Sequence, residues 1–214
     1  MSVILEKIQP EEIERRSFAI IEEELPHPLD PVLAPIIKRV IHTTADFDFA
    51  DALCFSHGAV EKGLSALRQG ATIVTDTNMA RSGINQVACE KLSCKTVCFM
   101  ADPEVAAAAK ARGITRAAVS MERAATLPGP LIFAVGNAPT ALVRLYELIM
   151  EQGFSPALII GVPVGFVNVV PAKELLLAAP VFSIVARGRK GGSAVAAAIV
   201  NALLYELTRP VPQK

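Results

Sequence analysis

The sequence predicts an α/β fold of three layers, with helices on both faces of a mostly parallel, doubly wound sheet of about five strands, in one domain over residues 1–214. Three observations predict it. From Ala71 onward short β-prone runs alternate with helical segments, which implies right-handed crossovers between parallel strands. Hydrophobic residues make up 52% and the mean hydropathy is +0.42, values that fit a sheet buried on both faces, with an apolar subunit interface as well. The chain has 214 residues, long enough for one domain with a well-filled core.

The elements follow in order. After Pro10, residues from Glu11 to about Glu24 place Ile13, Phe18, Ile20 and Ile21 near one side of a helix. The prolines of Leu25-Pro26-His27-Pro28-Leu29 force extended or turn geometry. Asp30-Pro31 then reads as an N-cap with Pro at the first position of a helix ending near His42. Ser56 is the expected cap of a helix running to Gln69, stopped by Gly70. Strands are expected over Ala71 to Thr75, Lys95 to Met100, Leu131 to Val135, Ala157 to Gly161 and Val181 to Ala186. Helices are expected over Glu104 to Arg112, Thr115 to Ala125, Pro139 to Gln152, Ala172 to Ala178 and Ser193 to Thr208.

Composition removes several functional classes. The apolar runs Pro156 to Val170 and Ser193 to Leu204 fall short of the roughly 20 residues a spanning helix needs. The N-terminus Met-Ser-Val-Ile-Leu-Glu-Lys lacks the order of a signal peptide, so the expected location is cytoplasmic. Twenty-one basic residues balance 21 acidic ones, leaving no global field for nucleic acid or a membrane surface. There is no Trp and aromatics are only 5%, which argues against a base-stacking platform. Cys54, Cys89, Cys94 and Cys98 contain no Cys-x-x-Cys pair and have no histidine at zinc spacing; they read as buried free thiols, and no metal site is expected.

The chemistry concentrates in one histidine and the loops after the strands. His42, in Arg39-Val40-Ile41-His42-Thr43-Thr44-Ala45-Asp46-Phe47, is followed closely by hydroxyls and a carboxylate. Thr43, Thr44 and Asp46 are candidates for orienting its ring. At a helix C-terminus the partial negative charge favours the imidazolium, which suits a general acid. A structural, hydrogen-bonded histidine is the plain alternative, and His27 and His57 read that way. In an open α/β sheet ligands bind outside the carboxyl ends of the strands. There lie Thr75-Asp76-Thr77-Asn78-Met79, Val135-Gly136-Asn137-Ala138-Pro139-Thr140, Gly161-Val162-Pro163-Val164-Gly165-Phe166-Val167 and Arg187-Gly188-Arg189-Lys190-Gly191-Gly192-Ser193. Asn137 and Gly192-Ser193 each precede a helix whose amides can receive an anion, and Arg187, Arg189 and Lys190 add cations. A tight strand-to-helix turn is the alternative for any one of these loops. No Gly-x-Gly-x-x-Gly lies between a strand and a helix, and no Walker lysine or Gly-x-Ser-x-Gly elbow occurs. Anion-binding groups, one proton donor and no nucleophile suit an isomerase or a binding protein better than a hydrolase or dehydrogenase.

Five motifs in order carry a resemblance. Arg16-Ser17-Phe18, His42-Thr43-Thr44-Ala45-Asp46, Gly136-Asn137-Ala138-Pro139-Thr140-Ala141-Leu142, Gly161-x-Pro163-Val164-Gly165-Phe166-Val167 and Arg187-Gly188-Arg189-x-Gly191-Gly192-Ser193 resemble the precorrin-8X methylmutases, from about Glu12 to Leu204. These cobalamin-pathway enzymes move a methyl group from C11 to C12 of a corrinoid macrocycle, giving a hydrogenobyrinic or cobyrinic acid-type product. The run after His42 is similar to the cobalt-dependent branch, whose substrate is cobalt-precorrin-8. The resemblance implies a homodimer with a corrinoid cleft near the subunit boundary, a single catalytic histidine matching His42, and no cofactor beyond cobalt carried in the substrate. It implies substrate contacts at Ser17, Arg116 and the backbone of the glycine loops. On that reading Thr77, Gly136, Asn137, Gly161, Pro163, Val164, Arg187, Gly191 and Gly192 face the tetrapyrrole, while Thr43 and Asp46 support His42. Two other classes stay open: a corrinoid carrier without catalysis, and a nucleotide-binding enzyme using the glycine loops for phosphate.

Overall fold

Adjacent residues of each central strand face opposite layers, and this alternation organises the protein. The structure, a computed structural model, describes residues 9–209. Its strands are β1 (Leu53–Phe55), β2 (Thr72–Thr75), β3 (Lys95–Val97), β4 (Leu131–Val135), β5 (Leu158–Gly161) and β6 (Ser183–Ala186). Before β2 come α1 (Pro10–Glu24), α2 (Ala34–Thr44), α3 (Phe49–Ala52) and α4 (Ala59–Arg68). Then follow α5 (Asn78–Gly83), α6 (Gln86–Lys91), α7 (Pro103–Arg112), α8 (Arg116–Ala125), α9 (Pro139–Gln152), α10 (Val169–Ala178) and α11 (Ser193–Thr208). Ile73, Ile132, Ile160 and Ile184 join one core with residues of α2, α4 and α11. Val74, Phe133, Ile159 and Val185 join the other with residues of α8, α9 and α10. The period of two along each strand thus builds the expected three layers.

The sheet has six strands in the order β1-β6-β5-β4-β2-β3. β2 to β6 pair in parallel. The added strand corrects the expectation of about five: β1 runs antiparallel to β6, with Leu53 opposite Ala186 and Phe55 opposite Ile184. Three residues are too few to display a period, so only tertiary pairing defines this edge. Ser56 is drawn into the same edge. Its backbone N–H donates to the Ser183 carbonyl (2.9 Å) and its hydroxyl accepts from the Ser183 N–H (2.8 Å), so it does not cap a helix. The helix begins later, at Ala59, after Gly58 in the left-handed region (φ 75°).

From β2 the chain steps outward to β3, then returns to place β4 on the other side of β2. The carboxyl ends of β2 and β4 therefore flank a topological switch point. α11 is the apolar run that resembled a membrane segment. Nine of its residues, Val195–Val200 and Ala202–Leu204, are buried between the sheet and its neighbouring helices. No helix among the described residues is long and apolar enough to cross a membrane. α2 starts at Ala34, four residues beyond the expected cap. The Asp30 carboxylate instead accepts the Val32 N–H (2.7 Å), holding a turn ahead of the helix, and Pro35 occupies its first turn.

Candidate active site

Ile36, Ile37, Val40 and Ile41 bury one face of α2, which fixes the position of its last turn. Ala45 ends the helix in the left-handed region (φ 52°), with its N–H on the Ile41 carbonyl. His42 sits half-buried in that turn. Its Nδ1 lies 2.8 Å from the Ser17 hydroxyl of α1. The Phe18 ring stacks on the imidazole, with centroids 5.3 Å apart and planes 24° from parallel. Arg39 lies 4.6 Å over the Phe18 ring and pairs with Glu14 at 2.5 Å. Nε2 has no hydrogen-bond partner among the described residues.

The expected supports of His42 are otherwise engaged. Thr43 donates its hydroxyl to the Arg39 carbonyl (2.9 Å) and Thr44 to that of Val40 (2.8 Å), the usual back-bonding of helical threonines. Asp46 receives Lys190 Nζ at 2.7 Å, and this bond holds its carboxyl below the ordinary range. Ser17 is the side chain that holds the ring. The separation of 25 residues hid that contact from any reading of the local sequence.

Around the carboxyl ends of the strands the four loops interlock. Asp76, fully buried after β2, accepts N–H bonds from Gly136 (2.8 Å), Asn137 (2.8 Å) and Ala138 (2.7 Å). Burial pushes its carboxyl up, against the pull of those three amides. The amides ahead of α9 are therefore filled by the protein's own carboxylate. This corrects the expectation that Asn137 offers its amide to a ligand. Thr77 caps α5 through the Ala80 N–H (3.0 Å), and its hydroxyl lies 2.8 Å from that of Ser193 at the start of α11. A Cβ at Gly136 would stand 2.7 Å from the Ser193 backbone. At Gly191 (φ 155°) it would stand 2.1 Å from the Val162 carbonyl oxygen, so only glycine fits. Gly192 donates its N–H to that same carbonyl (2.8 Å). Gly161 is core: it is buried, and a side chain there would meet Leu176 at 2.6 Å. Pro163 is buried as well, whereas Val164 reaches the surface.

The cations divide into bound and free. Arg187 pairs with Glu174 (3.0 Å), and Lys190 with both Asp46 and Asp48 (2.7 and 2.5 Å). Lys173 is fully buried, and burial lowers it to about 8. Arg116 opens α8 and donates to the Met100 carbonyl (3.3 Å), while Arg189 lies 5.4 Å over the Phe166 ring. Neither has a carboxylate partner among the described residues. Phe166, Val167 and Met79 are 83%, 77% and 74% exposed. His27 is bound to the Pro28 carbonyl and Asp51, both of which raise it, and His57 is exposed ahead of α4. All four cysteines are free thiols, and no cluster of three or more His, Cys, Asp or Glu among the described residues is placed to hold a metal ion.

Comparison with known proteins gives this arrangement its family. The precorrin-8X methylmutase model matches residues 12–206. The chain belongs to the precorrin-8X methylmutase family. The cobalt-precorrin-8 methylmutase of Salmonella typhimurium is 45% identical over 206 residues, covering 93% of this chain and 96% of the relative. The precorrin-8X methylmutase of Pseudomonas aeruginosa is 40% identical over 197 residues, covering 91% and 94%. The crystal structure of precorrin-8X methyl mutase from Thermus thermophilus superposes with a TM-score of 0.83 at 44% identity, covering 91% of this chain and 94% of that one. The protein is thus a methylmutase of cobalamin biosynthesis, an intramolecular transferase. Its methylmutase sheet carries the six-strand order described above. Of the residues read from sequence, His42 and Ser17 are in contact, the Thr77 hydroxyl and the Gly136 backbone meet at Ser193, and Gly191–Gly192 meet Val162. Sequence reasoning quoted Asp76 and Phe18 within its motifs but gave neither a role, and it missed Lys173. The one available signal was a carboxylate directly after a strand, at Asp76.

Proposed function

We propose that this enzyme moves a methyl group from C11 to C12 of precorrin-8 or its cobalt complex, with His42 as general acid. The observation that carries the reading is the Ser17–His42 contact of 2.8 Å at Nδ1, with Nε2 unpartnered among the described residues. A serine hydroxyl can accept from an imidazolium or donate to a neutral ring, so it supports both states. Nε2–H gives its proton to a ring nitrogen near C11, the π-system becomes electron-poor, and the methyl migrates suprafacially. The proton then returns to Nε2. Phe18 holds the ring from its face and keeps the transfer geometry narrow.

The substrate is edged with carboxylates. Arg116 and Arg189, which have no carboxylate partner among the described residues, are the groups to receive them, with Arg187 and Lys190 held in pairs. A sigmatropic shift needs neither a nucleophile nor an electron carrier, so the enzyme works without a cofactor, and cobalt enters only with the substrate. The six relatives named cobalt-precorrin-8 methylmutase favour the cobalt-bearing macrocycle. The active species is a homodimer with the cleft near its boundary. The exposure of Met79, Phe166 and Val167 in the segments after β2 and β5 supports this.

The test is optical. Precorrin-8, then its cobalt complex, is mixed with enzyme under a metal chelator, and the visible spectrum is followed. Wild type should convert the chromophore, and His42→Ala should bind it but convert it about 10²–10⁴ times more slowly. A bound, unchanged spectrum with both macrocycles would leave a binding protein and end the catalytic reading.

A further inference from the structure

Lys173 is completely buried in α10, where a charged ammonium is costly unless its protons are taken. Its Nζ donates to the Gly188 carbonyl at 2.8 Å and the Lys190 carbonyl at 2.9 Å. The acids that reach this loop are committed elsewhere: Glu174 of α10 to Arg187, and Asp46 and Asp48, after α2, to the Lys190 side chain. No carboxylate is paired with Lys173 among the described residues. A stability role alone would be met as well by an apolar side chain of similar length, which avoids burying charge. The cation instead gathers two carbonyls of one turn. That turn carries Arg189, and its Lys190 side chain reaches the residues that follow His42. The Gly165 N–H also bonds to the Arg189 carbonyl (3.1 Å), so the turn between Gly188 and Lys190 links two rim loops to the end of α2.

We infer that Lys173 is a positioning residue for the substrate: from beneath, its ammonium fastens the Gly188–Lys190 turn and thereby sets Arg189 against one carboxylate-bearing edge of the macrocycle. The inference deepens the methylmutase reading and rests on it. It touches no reacting atom, so its signature is in binding.

Lys173→Met is compared with wild type in two measurements. Hydrogen exchange on the ligand-free protein should show amides 188–192 opening at least tenfold faster, with β4 and α9 unchanged. Turnover of precorrin-8 or its cobalt complex should show KM raised about tenfold and kcat within about threefold, opposite to His42→Ala. Lys173→Gln, which keeps two N–H donors on a shorter arm, should fall between the two in both readouts and decides the matter if the methionine variant does not fold. Unaltered KM in a folded variant, or unaltered exchange in the loop, overturns the positioning role while leaving the function standing. Wild type that converts neither macrocycle overturns the functional reading itself, and this inference with it.

Discussion

At the scale of single residues, the catalytic proposal comes down to how one imidazole is held. The hydroxyl at 2.8 Å and the stacked phenyl ring fix its direction, while Arg39, paired with Glu14, packs on the phenyl. Ser17→Ala removes one hydrogen bond, on the order of 1 kcal/mol of orientation, and should lower kcat about fivefold with KM nearly unchanged. A KM-only effect in steady-state assays would move Ser17 from the histidine to the substrate. The reading of His42 from its own neighbourhood was right about the helix end and wrong about the partner. Threonines in the last turn of a helix have a carbonyl four residues back within reach, so Thr43 and Thr44 were claimed locally before any ring could use them.

At the scale of elements, the strand-end loops form one interlocked body. Asp76 closes the N-terminus of α9 in place of a ligand, and Val162 receives Gly192 from the neighbouring loop. Asp76→Ala would leave three amides at the switch point unpaired in a buried site. The expected cost is about 3 kcal/mol of unfolding free energy, read by urea denaturation. A loss below 0.5 kcal/mol, within the range of ordinary surface substitutions, would mean water replaces the carboxylate. The boundaries of α9 and α11 were legible because Pro139 and Ser193 punctuate long apolar-periodic segments. α3 and the three-residue β1 were not, because elements that short carry no period.

For the whole molecule, assembly and pH are the informative variables. Sedimentation equilibrium should give a dimer, and Phe166→Asp, which charges the 83% exposed ring position, should weaken association at least tenfold. A fully active monomer would refute the shared boundary. Burial lowers Lys173 from 10.5 to about 8, so between those values the unfolded chain binds more protons than the folded one. Its contribution to stability is present above 10.5 and lost as pH falls through 8. Cys89, pushed up from 9.0 to about 11 by burial, works the other way: its contribution is present below 9.0 and lost as pH rises through 11. A difference measurement separates them. Wild-type unfolding free energy minus that of Lys173→Met should climb by about 3 kcal/mol from pH 8 to pH 10.5. A flat difference would show that the ammonium is not desolvated.

The sequence by itself determined the alternation of strands and helices, the three layers, the rim on which the loops gather and the histidine among them. Those features are local: period, punctuation by Gly and Pro, and residue chemistry. Only the tertiary structure decided the sixth strand, the pairing of Ser17 with His42, the closing of the α9 amides by Asp76 and the burial of Lys173 beneath the loop. Each of the last three joins side chain to partner across 15 to 62 residues. At such separations the partner is chosen by the packing of layers, which no local pattern records.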